Sequence, residues 1–192
     1  MASNAFSAED SEIRALAQQV IDYWFDEVGE DRWWKKDAEL DKKIKERWGD
    51  LRKSVIAAEG KVWREGPKRA LAAIIMLDQF SRHINRGKAK AFEADRMARQ
   101  LTRRAIAKGW DLRLPKDQRF FVYMPLMHSE ELSDQEQSVA LFDAMHEEGH
   151  DRFAHLHRQQ IVDFGRFPGR NKALGRESTP EEVIMLEGGG AF

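Results

Sequence analysis

Apolar side chains recur every three or four residues along nearly the whole of this chain, and no convincing stretch alternates between apolar and polar residues. A period close to 3.6 gathers apolar residues on one face of an α-helix, whereas a half-buried strand requires a period of two. Ile13, Leu16, Val20 and Trp24 form the first stripe of this kind. The pattern predicts an all-α fold.

Signals for helix starts and ends divide the pattern into seven or eight helices joined by short turns, which is typical of antiparallel helix pairs around a shared core. The fourth helix is predicted from about Ala89 to Lys108. Pro125 lies inside the fifth, where a proline removes a helical hydrogen bond and predicts a kink or break. The predicted start signals are Ser7 with Asp10, Gly66-Pro67, Pro115, Ser133 with Glu136, and Thr179-Pro180 with Glu182.

Length and charge narrow the classes of protein to which the chain can belong. Its 192 residues predict one all-helical domain over residues 1–192, with a C-terminal tail over residues 188–192. Because 32 basic and 33 acidic residues nearly cancel, we expect no nucleic-acid partner and no membrane association. The N-terminus lacks the features of a secretion signal, so a cytoplasmic protein is expected. The lack of cysteine excludes disulfides, thiol catalysis and cysteine-bound metal.

The segment "MHEEGH", residues 145–150, contains a His-Glu-x-x-His pentad. On an uninterrupted helix this spacing places two histidines where zinc hydrolases bind their metal. Here Gly149 falls between His146 and His150, at the expected end of the sixth helix. We therefore interpret the pentad as a helix end and expect no metal site.

Several polar side chains lie on helix faces that should be buried. Asp78 and Arg82 continue the apolar stripe of the third helix in "LDQFSRHINRG", residues 77–87. His128 and His157 lie on the apolar faces of the fifth and seventh helices. Burying charge is unfavourable unless the charge is paired, so partners are expected nearby. For each histidine, a core residue with satisfied hydrogen bonds is the alternative to a catalytic group.

The longest stretch without predicted secondary structure is "GRFPGRNKALGRES", residues 165–178, a loop rich in arginine and glycine. Guanidinium groups and glycine-rich backbone both bind carboxylate or phosphate. If the loop folds over the third and fifth helices, it brings arginines against Asp78, Glu130 and His128. Three alternatives stay open: a network that pins the loop, a pocket for an anionic ligand, and a metal site, which is disfavoured. The candidate ligand-binding residues are Asp78, Gln79, Arg82, His128, Glu130, His157, Arg166, Arg170, Asn171 and Arg176.

Two adjacent tryptophans, Trp33 and Trp34, occur in "DRWWKKD". Their rings can form a stacking platform for a ligand, or they can anchor a short helix to the core. The sequence favours the second interpretation.

An ordered set of motifs resembles a mainly bacterial family of unknown function that is assigned to the tetratricopeptide-like helical superfamily. The motifs are "DYWF" (22–25), "RWW" (32–34), "LDQFSRHINRG", "YMPLMHSEEL" (123–132), "FGRFPGRN" (164–171) and "LGRESTPEE" (174–182). The resemblance covers residues 13–186 and implies a tetratricopeptide-like array, with no established activity or catalytic residues. Ser81, His83, Asn85 and Gly169 depart from the usual pattern, which weakens any role for them. The pentad is not part of that pattern.

Two functions remain open. In the first, which the sequence favours, the protein binds an anionic small molecule or the carboxylate or phosphate of a peptide. In the second, it is an enzyme on an anionic small molecule, in which His128 and either Glu130 or Asp78 transfer protons. Neither function calls for a cofactor, and the oligomeric state stays open. Catalysis requires His128 beside a carboxylate and facing an enclosed cavity, whereas a fully packed His128 with internally paired arginines would argue against it.

Overall fold

The structure, a computed structural model, describes residues 2–146 and 150–190, and every regular element within these ranges is helical. The prediction of an all-α fold is thereby confirmed. No helix in the described part of the chain is both long enough and apolar enough to span a membrane.

Long helices alternate with single helical turns. The α-helices, in chain order, are α1 (Ala2–Asp22), α2 (Glu30–Trp33), α3 (Ala38–Ala57), α4 (Pro67–Ile74), α5 (Ser81–Ile84), α6 (Asp95–Ala107), α7 (Lys116–Met127), α8 (Leu132–Met145), α9 (His150–Phe164), α10 (Asn171–Leu174) and α11 (Pro180–Glu187). Two π-helical segments, Tyr23–Val28 and Ile75–Phe80, extend α1 and α4. The 3₁₀ turns are Lys61–Trp63, Ala89–Ala91, Asp111–Arg113 and Pro168–Arg170. Single turns such as α2 and α10 are too short for apolar periodicity to reveal.

One helix runs through the middle of the molecule. α4, the π-helical segment and α5 follow one another without a break, and every residue from Ala70 to Ser81 is buried. This central helix packs against α1, α3, α6 and α7. A helix that is apolar on nearly all sides lies inside a protein rather than on its surface. Its polar residues Asp78 and Gln79 are therefore buried as well.

Aromatic side chains hold the N-terminal helices against the central helix. Trp24 is fully buried and meets Phe80 and Phe121 edge-on, with ring centroids 5.6 and 5.8 Å apart. The indole Nε1 of Trp33 donates to the backbone oxygen of Trp24 at 2.9 Å, which closes the turn between α1 and α2. Gly29 in that turn has φ of +73°, a conformation that favours glycine.

Three of the predicted helix starts are confirmed. α4 begins at Pro67, and α7 begins directly after Pro115. α11 begins with a capping box, in which Thr179 and Glu182 each accept a hydrogen bond from the other's backbone amide. Proline at a helix start and a capping box both act locally, which is why the sequence alone predicts them.

Three other boundaries are wrong. Ser7 and Asp10 lie inside α1, and Ser133 lies inside α8. The segment predicted as one helix over residues 89–108 is a 3₁₀ turn followed by α6. A capping pattern marks a helix start only where the residue that carries it is the one that leaves the helical conformation. Ser7 lies within α1, and before Ser133 the extended residue is Glu131, two positions earlier.

Two predicted interruptions also differ from the structure. Pro125 does not break α7, which runs on to Met127, because the hydrogen bond that proline removes lies near the end of the helix. The segment 165–178 is not irregular throughout, since it contains the 3₁₀ turn Pro168–Arg170 and α10.

Candidate functional site

A histidine and a carboxylate meet where α7 ends against the central helix. His128 follows the last residue of α7, and its Nδ1 is 2.8 Å from Oδ1 and 3.0 Å from Oδ2 of Asp78. Asp78 is 1% exposed and lies in the π-helical segment of the central helix. An ionised carboxylate only accepts hydrogen bonds, so Nδ1 of His128 carries the proton and Nε2 is an acceptor. Nε2 makes no hydrogen bond within the described part of the chain.

Two arginines lie beside this pair. Nη1 of Arg82 is 2.9 Å from Oδ1 of Asp78, and Arg82 also donates to both carboxylate oxygens of Asp95 at 3.1 and 3.2 Å. Nη2 of Arg170 donates to the backbone oxygen of His128 at 2.8 Å. Nη1 of Arg170 is 3.7 Å from Oδ2 of Asp95, which is longer than a hydrogen bond. The two guanidinium groups and the two carboxylates balance in charge.

Aromatic rings enclose the guanidinium group of Arg170. Its central carbon lies 4.8 Å from the ring centroid of Phe92 and 4.4 Å from that of Phe167. Such contacts stabilise a cation that is shielded from water. Burial, together with the charge of Arg82, lowers the pKa of Arg170 to about 10, so the guanidinium group is still charged at neutral pH.

The pKa values of the histidine and the carboxylate both shift downward. Burial alone would raise the pKa of Asp78, but the charges of Arg82 and His128 and the hydrogen bonds to the carboxylate outweigh burial. Burial lowers the pKa of His128, and the charges of Arg82 and Arg170 lower it further, against the opposing charge of Asp78. At pH 7 the pair therefore consists of an ionised carboxylate and a neutral imidazole.

His157 on α9 is the second histidine of this cluster, and its ring centroid lies 6.0 Å from that of His128. Its Nδ1 is 2.7 Å from the backbone oxygen of Phe153, and its ring meets that of Phe167 at 5.5 Å. Burial and the charge of His128 lower the pKa of His157 to about 3, so the ring is neutral. These contacts are those expected of a core histidine.

Ion pairs tie the segment 165–178 to the helices around it. Arg176 donates to both carboxylate oxygens of Glu130 at 2.8 and 3.0 Å, and Glu130 also accepts from the amide of Phe167 at 2.9 Å. Arg166 donates to both carboxylate oxygens of Glu182 at 2.6 and 2.9 Å. Such contacts are expected if the polar residues of the loop form a network that holds the loop in place, the first of the three alternatives above.

Asn171 joins the two ion pairs. Its Oδ1 accepts from Nε of Arg176 at 3.0 Å, and its Nδ2 donates to Oε2 of Glu182 at 3.0 Å. Hydrogen bonding to Arg166 is the main reason that the pKa of Glu182 falls to about 2. The loop is thus held by a connected polar network.

The ten predicted ligand-binding residues therefore fall into two groups. The first group is centred on the pair of Asp78 and His128: Gln79 and Arg82 contact Asp78, and His157 and Arg170 contact His128. The second ties down the loop and consists of Glu130, Arg166, Asn171 and Arg176. Because Glu130 is engaged by Arg176, Asp78 is the carboxylate that His128 contacts.

Comparison with known proteins places the chain in a family. The profile of a bacterial protein family of unknown function (DUF924) matches residues 20–190. The chain belongs to this family. It is also similar in structure to ATU0120, a protein of unknown function from Agrobacterium tumefaciens, with a TM-score of 0.87 and 36% sequence identity over 91% of this chain and 98% of that one. A search of curated proteins gives no match.

Sequence reasoning missed three residues of the cluster in this DUF924 protein. Asp95 binds Arg82, while Phe92 and Phe167 enclose Arg170. The only sequence signal was that buried charges need partners. It did not identify Asp95, because the connection from α5 to α6 brings that residue to Arg82 through tertiary contacts.

The pentad lies apart from this cluster in the sequence. α8 ends at Met145, His146 has a φ of +51°, and α9 begins at His150, so the two histidines do not share one helix. Residues 147–149 lie outside the described residues. Within the part of the chain that the structure describes, no group of three or more acidic or histidine side chains is arranged to hold a metal ion.

Two surface cavities of this DUF924 protein lie elsewhere, and His128 lines neither of them. A cavity of about 670 Å³ between α3 and the segment 84–93 is lined mainly by charged side chains, including the buried Arg52. A smaller cavity, of about 300 Å³, is lined by aromatic and acidic side chains near α2. Of the two conditions set for catalysis, the contact between histidine and carboxylate is met, whereas neither cavity supplies the enclosure.

Proposed function

We propose that this DUF924 protein is an enzyme that moves a proton to or from a small anionic substrate, with His128 as the acid–base group. The observation that carries the proposal is the Asp78 carboxylate on Nδ1 of His128, with Nε2 left without a hydrogen bond in the described residues. A carboxylate on one ring nitrogen fixes the tautomer and the orientation of the imidazole, and presents the other nitrogen as a base.

The charges around His128 suit this role. The neutral imidazole can accept a proton on Nε2, and the imidazolium ion that forms is stabilised by Asp78 at 2.8 Å. The depressed pKa of His128 keeps the ring in its basic form at neutral pH. The His128 side chain is 12% exposed, so the imidazole is not sealed from solvent, although neither of the two cavities described above encloses it.

Among the arginines of the cluster, Arg170 has the least engaged donor, although its side chain is only 11% exposed. Only its Nη2 makes a short hydrogen bond in the described residues, and the 3.7 Å between Nη1 and Asp95 leaves that donor weakly engaged. A substrate carboxylate or phosphate at Nη1 would lie near the backbone of His128. Arg166 already donates two hydrogen bonds to Glu182, and Arg176 already donates two to Glu130. Neither arginine is therefore assigned this role.

A second candidate is a binding protein that uses the same residues without turnover. The sequence favours this function, which would be expected of a tetratricopeptide-like helical array. The consecutive packing of α7, α8 and α9 supports such an array. The contact of the central helix with four other helices does not, because repeats in a one-dimensional stack touch only their neighbours.

The test combines thermal melting with substrate depletion followed by proton NMR, using a panel of small carboxylates and phosphates. A bound substrate raises the melting temperature of the folded protein, and turnover removes its signals. His128→Gln is expected to reduce turnover by roughly 10²- to 10⁴-fold. Asp78→Asn should reduce it as well, because the amide no longer holds the same tautomer.

His155→Gln is the matched control, since His155 is an exposed histidine that contacts a different carboxylate, Asp143. Turnover that survives in His128→Gln would overturn the proposal. A ligand that shifts the melting temperature of the wild type without being consumed would favour the binding protein. No response to any member of the panel would contradict both candidates.

A further inference from the structure

Aromatic and acidic side chains line one cleft between the start of α7, α2 and the π-helical segment that extends α1. Its cavity has a volume of about 300 Å³, at the lower end of the range for small-molecule sites. We call it the acidic aromatic cleft. The residues that line it are Phe25, Asp26, Glu30, Trp33, Trp34, Asp117 and Phe120. None of these is basic, so four aromatic rings stand beside three negative charges.

Among the residues that the structure describes, the three carboxylates of the cleft have no ion-pair partner. The nearby Asp37 binds Arg32 at 2.6 Å, so an acidic side chain in this region can find a partner. Asp26, Glu30 and Asp117 form no ion pair within the described part of the chain. Like charges around one cleft repel each other, and a bound cation removes that repulsion.

Contacts with the core fix the aromatic walls. Trp33 is held by its hydrogen bond to Trp24 and meets Phe25 edge-on at 5.4 Å. The ring of Trp34 lies parallel to that of Phe121, with centroids 6.1 Å apart and an interplanar angle of 5°. Rings that are already ordered lose little conformational entropy when a ligand binds.

The two tryptophans do not have the same role. Trp33 anchors the short helix to the core, as the sequence predicted for both. Trp34 is 56% exposed, although it is one of the largest apolar side chains. Exposed tryptophan in a cleft rimmed by carboxylates is typical of aromatic cages for organic cations.

We propose that the acidic aromatic cleft binds an alkylated ammonium group. The faces of the rings attract a cation through their quadrupoles, and the carboxylates add a charge that a neutral ligand cannot use. A methylated ammonium is weakly hydrated and presents apolar surface to the rings, unlike a small inorganic cation. The site is separate from Asp78 and His128, and it does not depend on the enzymatic proposal.

The first experiment titrates the full-length protein with choline and with 3,3-dimethylbutan-1-ol, in which a carbon replaces the nitrogen. Intrinsic tryptophan fluorescence and calorimetry report binding. We expect saturable binding of choline, weaker at high salt, and at least about tenfold weaker binding of the neutral alcohol. Equal binding of the two, or no binding of choline, would overturn the proposal.

Variants then locate the site. Trp34→Ala is expected to weaken choline binding by roughly 3- to 30-fold. Trp34→Leu keeps an apolar contact with Phe121 and removes the aromatic face, so it serves if the alanine variant does not fold. The double variant Asp26→Asn/Asp117→Asn should weaken binding and reduce its dependence on salt. Asp31→Asn is the matched control, because Asp31 is exposed on α2 but does not line the cleft.

An alkylated ammonium group can come from a free metabolite or from a trimethylated lysine side chain. Peptides that carry unmodified and trimethylated lysine distinguish these sources. A trimethylated peptide that binds more tightly than choline assigns the group to a protein partner, whereas weaker binding assigns it to a small molecule. Affinity unchanged by both the Trp34 and the Asp26/Asp117 substitutions would place choline elsewhere and overturn the proposal.

Discussion

At the scale of single residues, the buried carboxylate of Asp78 shows how a charge is tolerated in an apolar helix. It lies close to Nδ1 of His128 at 2.8 Å, Nη1 of Arg82 at 2.9 Å and Nε2 of Gln79 at 2.6 Å. A buried carboxylate without such partners would lose its hydration with no compensating hydrogen bonds, which would destabilise the folded state. The same three contacts make the carboxylate a rigid support for the imidazole, so stability and the proposed chemistry depend on the same atoms.

Two glycines that both have room for a methyl group provide a test of backbone conformation. Gly49 lies within α3, where a methyl group would come no nearer than 3.9 Å to Lys45. Gly49→Ala is expected to raise the free energy of unfolding by about 0.5–1 kcal/mol, because alanine favours the helix. Gly29→Ala should lower it by roughly 1–3 kcal/mol, since φ at Gly29 is +73°. Urea denaturation measures both changes, and a shared sign would contradict this explanation.

At the scale of the helices, similar capping patterns have different outcomes. Thr179 caps α11, whereas Ser133 lies inside α8. The chain before α8 is held by tertiary contacts: Gln135 donates to the backbone oxygens of Met127 and Ser129 at 2.7 and 2.6 Å. These contacts connect residues from the preceding turn, which a local pattern cannot include. The sequence therefore predicts a helix start only where its signals are local.

The two patterns predict opposite results for substitution by alanine. Thr179→Ala should lower the free energy of unfolding by about 0.5–2 kcal/mol, because it removes the side-chain acceptor for the amide of Glu182. Ser133→Ala should be neutral or slightly stabilising, because alanine is the better residue inside a helix. Thermal melting of both variants gives the comparison. A large loss of stability in Ser133→Ala would show that Ser133 has a role that its position in α8 does not explain.

The ion pair between Arg176 and Glu130 is expected to order the segment 165–178. Arg176→Ala should lower the free energy of unfolding by roughly 1–3 kcal/mol, since it also leaves the part-buried Glu130 without its partner. The segment should then be cut faster by trypsin than in the wild type. Glu130→Gln and the double variant complete a double-mutant cycle, in which additive effects would show that the pair is not coupled.

At the scale of the whole molecule, the buried histidines are expected to make the free energy of unfolding depend on pH. This dependence should appear at higher pH than the range in which carboxylates titrate. The pKa of His157 falls to about 3 in the folded state, and those of His128 and His83 fall as well. The unfolded chain therefore binds more protons below pH 6.5, so stability is lost as pH decreases. His157 alone accounts for about 2 kcal/mol between pH 7 and pH 5.

Urea denaturation at a series of pH values measures this dependence. His157→Gln is expected to flatten the change between pH 7 and pH 5, whatever its effect on stability at pH 7. His155→Gln is the control substitution, because His155 lies on the same helix as His157 and its side chain is 55% exposed. An unchanged slope in His157→Gln would show that His157 titrates as freely in the folded protein as in the unfolded chain.

Apolar periodicity predicted the all-α fold, because each helix must bury one face. It also singled out Asp78, His128 and His157, since a polar residue on an apolar stripe is visible within a single helix. It did not predict the pairing of Arg82 with Asp95, which depends on how separate helices come together. The acidic aromatic cleft was hidden for the same reason, because Asp117 joins the tryptophans only in three dimensions.

The central helix has a consequence for synthesis of the chain on the ribosome. Asp78 emerges well before His128, which together with Arg82 and Gln79 makes its burial tolerable. A nascent chain that ends before α7 holds a carboxylate whose later partners do not yet exist, so tight packing around the central helix is unfavourable. We therefore expect the central helix to pack fully only once α7 and His128 have been made, so that the candidate site is assembled as the core closes.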